Sequence, residues 1–494
     1  MQLRLLPSCL ALLATLSACG SSDDGTLDIA LIGSEDQVLS NGMRLSSTAQ
    51  HVRAATQTGL VSLNANGEVV PALAETWLPT DDGLSYIFRL RETTWPDGEP
   101  LTSASAKAAI DDALDGLSGT SLGGDLAVID EVRAMTGRVI EIRLRSPEPY
   151  LLQLLAQPEL ALRQPGGETG QMALVRGEEG ELTLEMKPPL ERGLPDDEDW
   201  RDDVREVRLH PASAEEALAM FDAGDVQLVL GGTLGDLPLV ETGPLSSGTL
   251  RIDSTFGLFG LQILNGEGLL GNDGVREGLA MAIDRQALLE RYNIGGWTQT
   301  TRPVSPGLPG EPGLVRERWV DEPIADLRSE AAARISAWRR QFDDGDLSQP
   351  AVVTIALSSG PGWDLFYNDL AQQFATIGIR LQRVDDARGA DMVVIDRVAR
   401  YPAPRWFLNQ FQCRLNRGLC NDQTDALVDL ALLDPDPVSR ARRLAEAEAD
   451  FTLANVYIPI ASPLRWSLVR GTVDGFAANV YAFHPLPDMA QVPR

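Results

Sequence analysis

The chain has 494 residues, 44% hydrophobic and 23% charged, which is the composition of an ordinary globular protein long enough for more than one lobe. Its 71 acidic side chains outnumber 42 basic ones, and the formal net charge of -29 repels nucleic acid and anionic lipid surfaces. DNA and RNA are therefore excluded as expected partners.

In chain order, Met1-Gln2-Leu3-Arg4 puts a positive charge before an apolar run from Leu5 to Leu16. That run has the length of a secretory signal and falls short of the roughly 20 residues a membrane span needs. Leu16-Ser17-Ala18-Cys19 resembles a bacterial lipobox, so residues 1–18 are expected to be removed and Cys19 acylated as a lipid anchor. Residues 19–26, rich in small and charged side chains, form a tether that cannot bury a core. Thr26 to Gly33 alternates as a strand and begins the folded part. Between Leu60 and Thr102, Asn66-Gly67, Asp82-Gly83 and Asp97-Gly98 punctuate short stretches of β-branched and aromatic residues, the pattern of antiparallel strands joined by tight turns.

Asp202 to Leu230 reads as a β-α-β unit, with Ser213 and Glu216 as capping box and Gly224 as helix stop. Asp273 to Tyr292 carries Val275, Leu279, Ala282, Ile283 and Ala287 at helical spacing. A second β-α-β unit runs from Val352 to Val384, its helix presenting Phe366, Leu370, Phe374 and Ile377 on one face. Asp436-Pro437 starts a helix through about Phe451, and Tyr457 to Ile460 is extended. With Cys9 lost in the signal and Cys19 given to lipid, Cys413 and Cys420 remain. In an oxidising compartment they suggest a disulfide, with half a zinc site as the alternative; His51, His210 and His484 are too scattered to complete one. Alternating units with an inserted strand-rich segment imply an α/β protein of at least two lobes and a cleft between them.

Several segments resemble the family 5 bacterial extracellular solute-binding proteins. The likeness is carried by Gly59-Leu60-Val61, Val69 to Glu75, Trp77, Asp81 to Leu84, Asp97 to Thr102, Arg276 with Ala280 to Arg285, Pro303 to Pro306, Ala371 to Ile379, Tyr457-Ile458-Pro459 and Gly471 to Phe476, all in order. The resemblance implies a periplasmic-binding-protein-like type II fold of two main lobes and an inserted third, with the ligand cleft between lobes. On that basis residues 27–55, 195–266 and 466–494 form lobe I, 56–194 the inserted lobe II, and 267–465 lobe III. It further implies a monomer in the periplasm or cell envelope, held to the membrane only by its lipid anchor, with an ABC importer permease as partner, a small peptide-like ligand and no cofactor.

The same resemblance places ligand contacts at the exit of the first strand (Gly33 to Asp36, Ser34 among them), on Phe256 to Asn265, and on Asp391 to Leu408. In peptide-binding members an aspartate before the tyrosine at Tyr401 pairs with the ligand's α-ammonium group; here Arg400 stands there, and Arg397 replaces a tryptophan. Guanidinium prefers carboxylate or phosphate, so an acidic or amino-blocked ligand is expected. The competing reading has Arg400 facing solvent or paired with a protein carboxylate such as Asp396. Tyr401, Trp406 and Trp363 are expected as aromatic walls, with Phe259 and Asn265 lining the cleft and Arg405 nearby. A receptor or chaperone-like lipoprotein without transport, and uptake of a metal chelate, are the alternatives on the same scaffold. No G-x-S-x-G, H-E-x-x-H or phosphate-loop motif occurs, and no enzyme is expected.

Overall fold

The computed structural model describes residues 25–163, 167–240, 248–342 and 347–492. The expected signal peptide and the anchor Cys19 lie outside the described residues. Thr26, assigned above to the end of the tether, already pairs with Glu206 in a sheet. Among the described residues no helix is long and apolar enough to cross a membrane.

Three main sheets organise the chain. The largest has seven strands in the order Leu250–Ser254, Leu464–Val469, Leu228–Gly232, Thr26–Ile32, Glu206–Ala212, Leu182–Met186 and Met172–Arg176. Thr26–Ile32 runs parallel to both Glu206–Ala212 and Leu228–Gly232, so it lies between the two strands of the expected β-α-β unit. A central strand covered on both faces needs apolar side chains on both, and Leu27, Ile29, Ala30 and Leu31 are all fully buried. The helix of that unit, Ala214–Ala223, starts where expected. Ser213 N donates to Glu216 Oε2 (3.0 Å), Glu216 N donates to Ser213 Oγ (3.3 Å), and Gly224 closes the helix at φ 89°.

A five-stranded sheet has the order Ile379–Val384, Ala351–Ala356, Met392–Val398, Gly257–Ile263 and Tyr457–Ala461. The helix Pro361–Ala375 packs Phe366, Leu370 and Phe374 into its core, and the unit closes with the parallel pair Ala351–Ala356 and Ile379–Val384. The third sheet is a four-stranded antiparallel one in the order Ala74–Pro79, Ser85–Leu90, Val139–Leu144 and Ile129–Ala134. Gly67 in the hairpin of Val61–Leu63, Gly83 in the first turn of this sheet and Gly98 in the turn bridged by Thr94 and Pro100 all adopt positive φ, as Asn-Gly and Asp-Gly turns favour.

Two expectations change. Asp273 to Tyr292 is not one helix but two, Asp273–Ala282 and Arg285–Glu290. Asp284 breaks the run because its own side chain caps the second helix, accepting from Ala287 N (3.0 Å), while Gln373 Oε1 takes its backbone N–H (2.6 Å). The apolar stripe continues across the break, so periodicity does not register it. Sheet membership also departs from the expected lobe boundaries. Met172–Arg176 and Leu182–Met186, within 56–194, join the seven-stranded sheet; Gly257–Ile263, within 195–266, joins the five-stranded sheet; and Leu464 and Arg465 begin a strand of the first sheet. Strand pairing is a long-range property that a strand's own alternation does not carry.

The core is shared between sheets. One apolar cluster runs from Phe88, Ile140, Ile142 and Leu151 to Phe407, Phe411 and Phe451, so the helices Pro404–Asn409 and Pro437–Ala454 share a core with the antiparallel sheet. The latter helix starts at Pro437 with Asp436 accepting from Ser439 N (2.8 Å) and runs three residues past the expected end.

Candidate ligand-binding cleft

Two chambers of about 430 and 770 Å³ open side by side where the sheets meet, sharing Thr233, Asp396, Arg397, Arg417 and Arg465 as common wall. Thr233 follows the strand Leu228–Gly232 and Arg465 lies on its neighbour Leu464–Val469, whereas Asp396 and Arg397 end a strand of the five-stranded sheet. Arg465 Nη1 donates to Asp396 Oδ1 (2.8 Å) and its Nη2 to the Asp396 carbonyl (3.3 Å), so one ion pair bridges the two sheets at the cleft floor.

The smaller chamber is lined by five arginines, Arg44, Arg397, Arg400, Arg417 and Arg465, against two carboxylates, Glu159 and Asp396. Both carboxylates are occupied. Asp396 holds Arg465, and Glu159 accepts from Arg400 Nη2 at 2.7 Å. Arg400 Nη1 also donates to Gln50 (2.5 Å) and Gln157 (3.2 Å), which leaves its side chain 23% exposed. It is thus paired with a protein carboxylate, Glu159. Arg397 is different: its guanidinium makes one long hydrogen bond, 3.4 Å to Gln410 Oε1, and is half-buried. Burial, with Arg417 and Arg44 beside it, pushes its pKa down to about 10. Arg417 is lowered too, by burial first and by Arg44 second.

The larger chamber is more neutral in charge. Trp363 forms one wall, and its indole lies so close to the chain that a Cβ on Gly235 would stand 2.4 Å from Nε1; only glycine permits that approach. Asp236 accepts from Thr233 Oγ1 (3.0 Å), and burial raises its carboxyl above the ordinary range.

The remaining expected contacts divide. Trp406 lines the smaller chamber, with most of its ring buried against Phe407. Tyr401 is fully buried beside Tyr150 and Asp125 and lines neither chamber, because the turn before Pro404–Asn409 directs it into the shared core. Phe259, 1% exposed, is enclosed by Trp297, Trp363 and Phe366; it supports a wall and is not one. Asn265 sits exposed in the turn after its strand, bonding Asp391, and lines neither chamber. Ser34 caps the short helix Glu35–Val38, taking Gln37 Oε1 on its backbone N–H (3.1 Å), and is likewise outside both. Arg405 is buried on Glu148 (2.7 Å), far from solvent.

Residues 68–189 and 194–417 match the family described as bacterial extracellular solute-binding proteins, family 5 middle. The chain belongs to that family. It is a family of solute-binding receptors and not of enzymes, and its members are extracellular or periplasmic. A putative ABC transporter peptide-binding protein of Brucella ovis is 36% identical over 98 residues, and the matched stretch spans only 19% of that relative and 19% of this chain. Oligopeptide-binding protein OppA of Bacillus subtilis is 24% identical over 348 residues, 60% of this chain and 62% of that one. The crystal structure of Haemophilus influenzae OppA with RPPGFSPFR superposes with a TM-score of 0.82 at 17% identity, covering 95% of this chain and 100% of that chain. The fold is therefore that of the type II periplasmic binding proteins.

Within this family 5 scaffold, sequence reasoning missed Arg44, Arg417, Arg465 and Glu159. Arg417 had one usable signal, its place between Cys413 and Cys420, which are joined in a disulfide with Cα atoms 5.2 Å apart. The bond leaves neither sulfur as a thiolate, which removes the zinc alternative at that pair. Arg44 had none: it stands in an irregular segment before the helix Ser47–Thr56.

Proposed function

We propose that this chain is the extracytoplasmic solute-binding lipoprotein of an ABC importer, anchored through acylated Cys19, and that it captures a peptide or peptide-like ligand whose inner end is acidic or amino-blocked. Capture is by closure of the lobes on a ligand that contacts both sides, the closed form being favoured by its additional contacts. The names of the Brucella and Bacillus relatives support the peptide class and the importer.

The observation that carries the ligand chemistry is Arg397, a half-buried guanidinium in the cleft wall with no carboxylate partner among the described residues. A free α-ammonium entering the smaller chamber finds both lining carboxylates among the described residues, Glu159 and Asp396, already paired with Arg400 and Arg465. A carboxylate entering the same space finds a planar donor suited to bidentate pairing. Isothermal titration with a free dipeptide and with its N-acetylated form tests this. The acetylated form should bind about tenfold tighter or more, the scale of one charge-assisted hydrogen bond; a clear preference for the free amine would sink the reading.

A further inference from the structure

Arg44, Arg397 and Arg417 reach the smaller chamber from three separate stretches: the segment before the Ser47–Thr56 helix, the end of the Met392–Val398 strand, and the loop closed by Cys413 and Cys420. Every other arginine on that wall has a carboxylate within 2.8 Å. These three have none among the described residues. Neither Arg44 nor Arg417 donates a side-chain hydrogen bond there, and Arg397 makes only its 3.4 Å contact with Gln410. The deficit is local, because the chain as a whole carries 71 acidic side chains against 42 basic ones. Burial first, and neighbouring cations second, lower the pKa values of Arg397 and Arg417, and like charges converge on one wall with no carboxylate partner among the described residues to offset them.

A single carboxylate can occupy one guanidinium fork; it leaves two positive charges uncompensated in a chamber of about 430 Å³. We propose that Arg44, Arg397 and Arg417 together seat a compact doubly charged anionic group of the ligand, either two carboxylates on neighbouring carbons or one phosphate monoester. This deepens the capture reading and rests on it for the cleft's being the solute site. The ligand class narrows from an acidic or blocked peptide to one bearing a dianionic end.

The test uses the mature full-length chain with succinate, inorganic phosphate and acetate at matched ionic strength, read by isothermal titration and thermal shift. Succinate or phosphate should bind about tenfold or more tighter than acetate and raise the melting temperature; which of the two does so separates the dicarboxylate from the phosphoryl source. Arg417→Gln and Arg44→Gln should each weaken that binding about tenfold while leaving the ligand-free melting temperature unchanged or higher, because like-charge repulsion is relieved. A merely structural arginine would lower it. The proposal is overturned if acetate binds as well as both dianions, if neither dianion binds, or if the variants lower stability with affinity intact. If neutral peptides bind and compact the protein in small-angle scattering while dianions show no preference, the dianion seat falls and the capture reading stands. If dianions bind without compaction, the seat stands and capture by closure falls.

Discussion

Asp125 and His51 are fully buried titratable residues whose burial turns into pH dependence. Asp125 is fully buried, with Asn409 Nδ2 donating to its Oδ1, Tyr401 beside it and the charges of Arg405 and Glu148 nearby. Burial dominates and pushes its carboxyl up to about 7. Between that value and the ordinary 3.8 the folded protein holds a proton that the unfolded chain does not, so Asp125 contributes stability that grows as pH falls through about 7. His51 works in the other direction. Its ring is buried against Phe483 and His484, and burial lowers its pKa from 6.5 to about 3, so its contribution is complete above 6.5 and lost as pH falls below. The two overlap, so the Asp125 part has to be measured by difference. The melting temperature of the wild type minus that of Asp125→Asn should be larger at about pH 5 than at about pH 8 by a few degrees. A difference that does not vary with pH would show that Asp125 titrates as an ordinary carboxylate.

The element that most directly shapes the cleft is the loop closed by the disulfide. Leu419 N donates to the Ile263 carbonyl (2.9 Å) and Cys413 N to Asp425 Oδ2 (2.8 Å), which ties the loop to the five-stranded sheet at one end and to the helix Asp422–Leu432 at the other. Arg417 rides between these ties. Replacing both cysteines by serine should leave the protein folded but less stable by about 2–3 kcal/mol, the chain-entropy value for so short a loop. Affinity for anionic ligands should weaken about tenfold, since Arg417 loses its fixed position; unchanged affinity would mean the hydrogen bonds alone hold it. Elements of this kind show what was legible. The Ser213–Glu216 box and the Asp436-Pro437 start are local, and both were readable from the residues themselves. Asp284 uses the same chemistry but sits inside an unbroken apolar stripe, and its helix break depends on Gln373, 89 residues away. Ser34 and Asn265 were placed in the cleft by the family resemblance alone; Ser34 bonds Gln37 within its own helix start, and Asn265 bonds Asp391 and accepts from Glu267 N.

For the whole molecule, the Pro404–Asn409 helix is tied by ion pair and hydrogen bonds to Glu148 and to the helix Ser121–Leu126, joining distant parts of the chain. Arg405 and Glu148 meet there with side chains only 5% and 7% exposed, and Arg405 Nη2 also donates to the carbonyls of Gly124 (3.2 Å) and Asp125 (3.1 Å). Removing one partner leaves an unmatched buried charge, a change that costs about 3–5 kcal/mol. Arg405→Gln should therefore shift chemical denaturation strongly, and adding Glu148→Gln should recover much of the loss. If the double variant is no better than the single one, the helix is docked by its apolar cluster and not by the pair. The net charge of -29 sits largely outside the smaller chamber, whose lining is positive, so an anionic solute is drawn to that chamber and repelled elsewhere.

The residues by themselves determined the α/β class, both β-α-β units, the tight turns at Gly67, Gly83 and Gly98 and the family. These rest on spacing, capping and turn chemistry that act over a few residues, or on an ordered text that needs no contact map. They also pointed to Arg397 and Arg400 as unusual. Only the tertiary structure decided between them. Arg400 meets Glu159 across 241 residues of chain, Arg465 takes Asp396 across 69, and Arg397 is left without a carboxylate among the described residues. Charge pairing is settled by which side chains share a wall, and sequence separation places no bound on that.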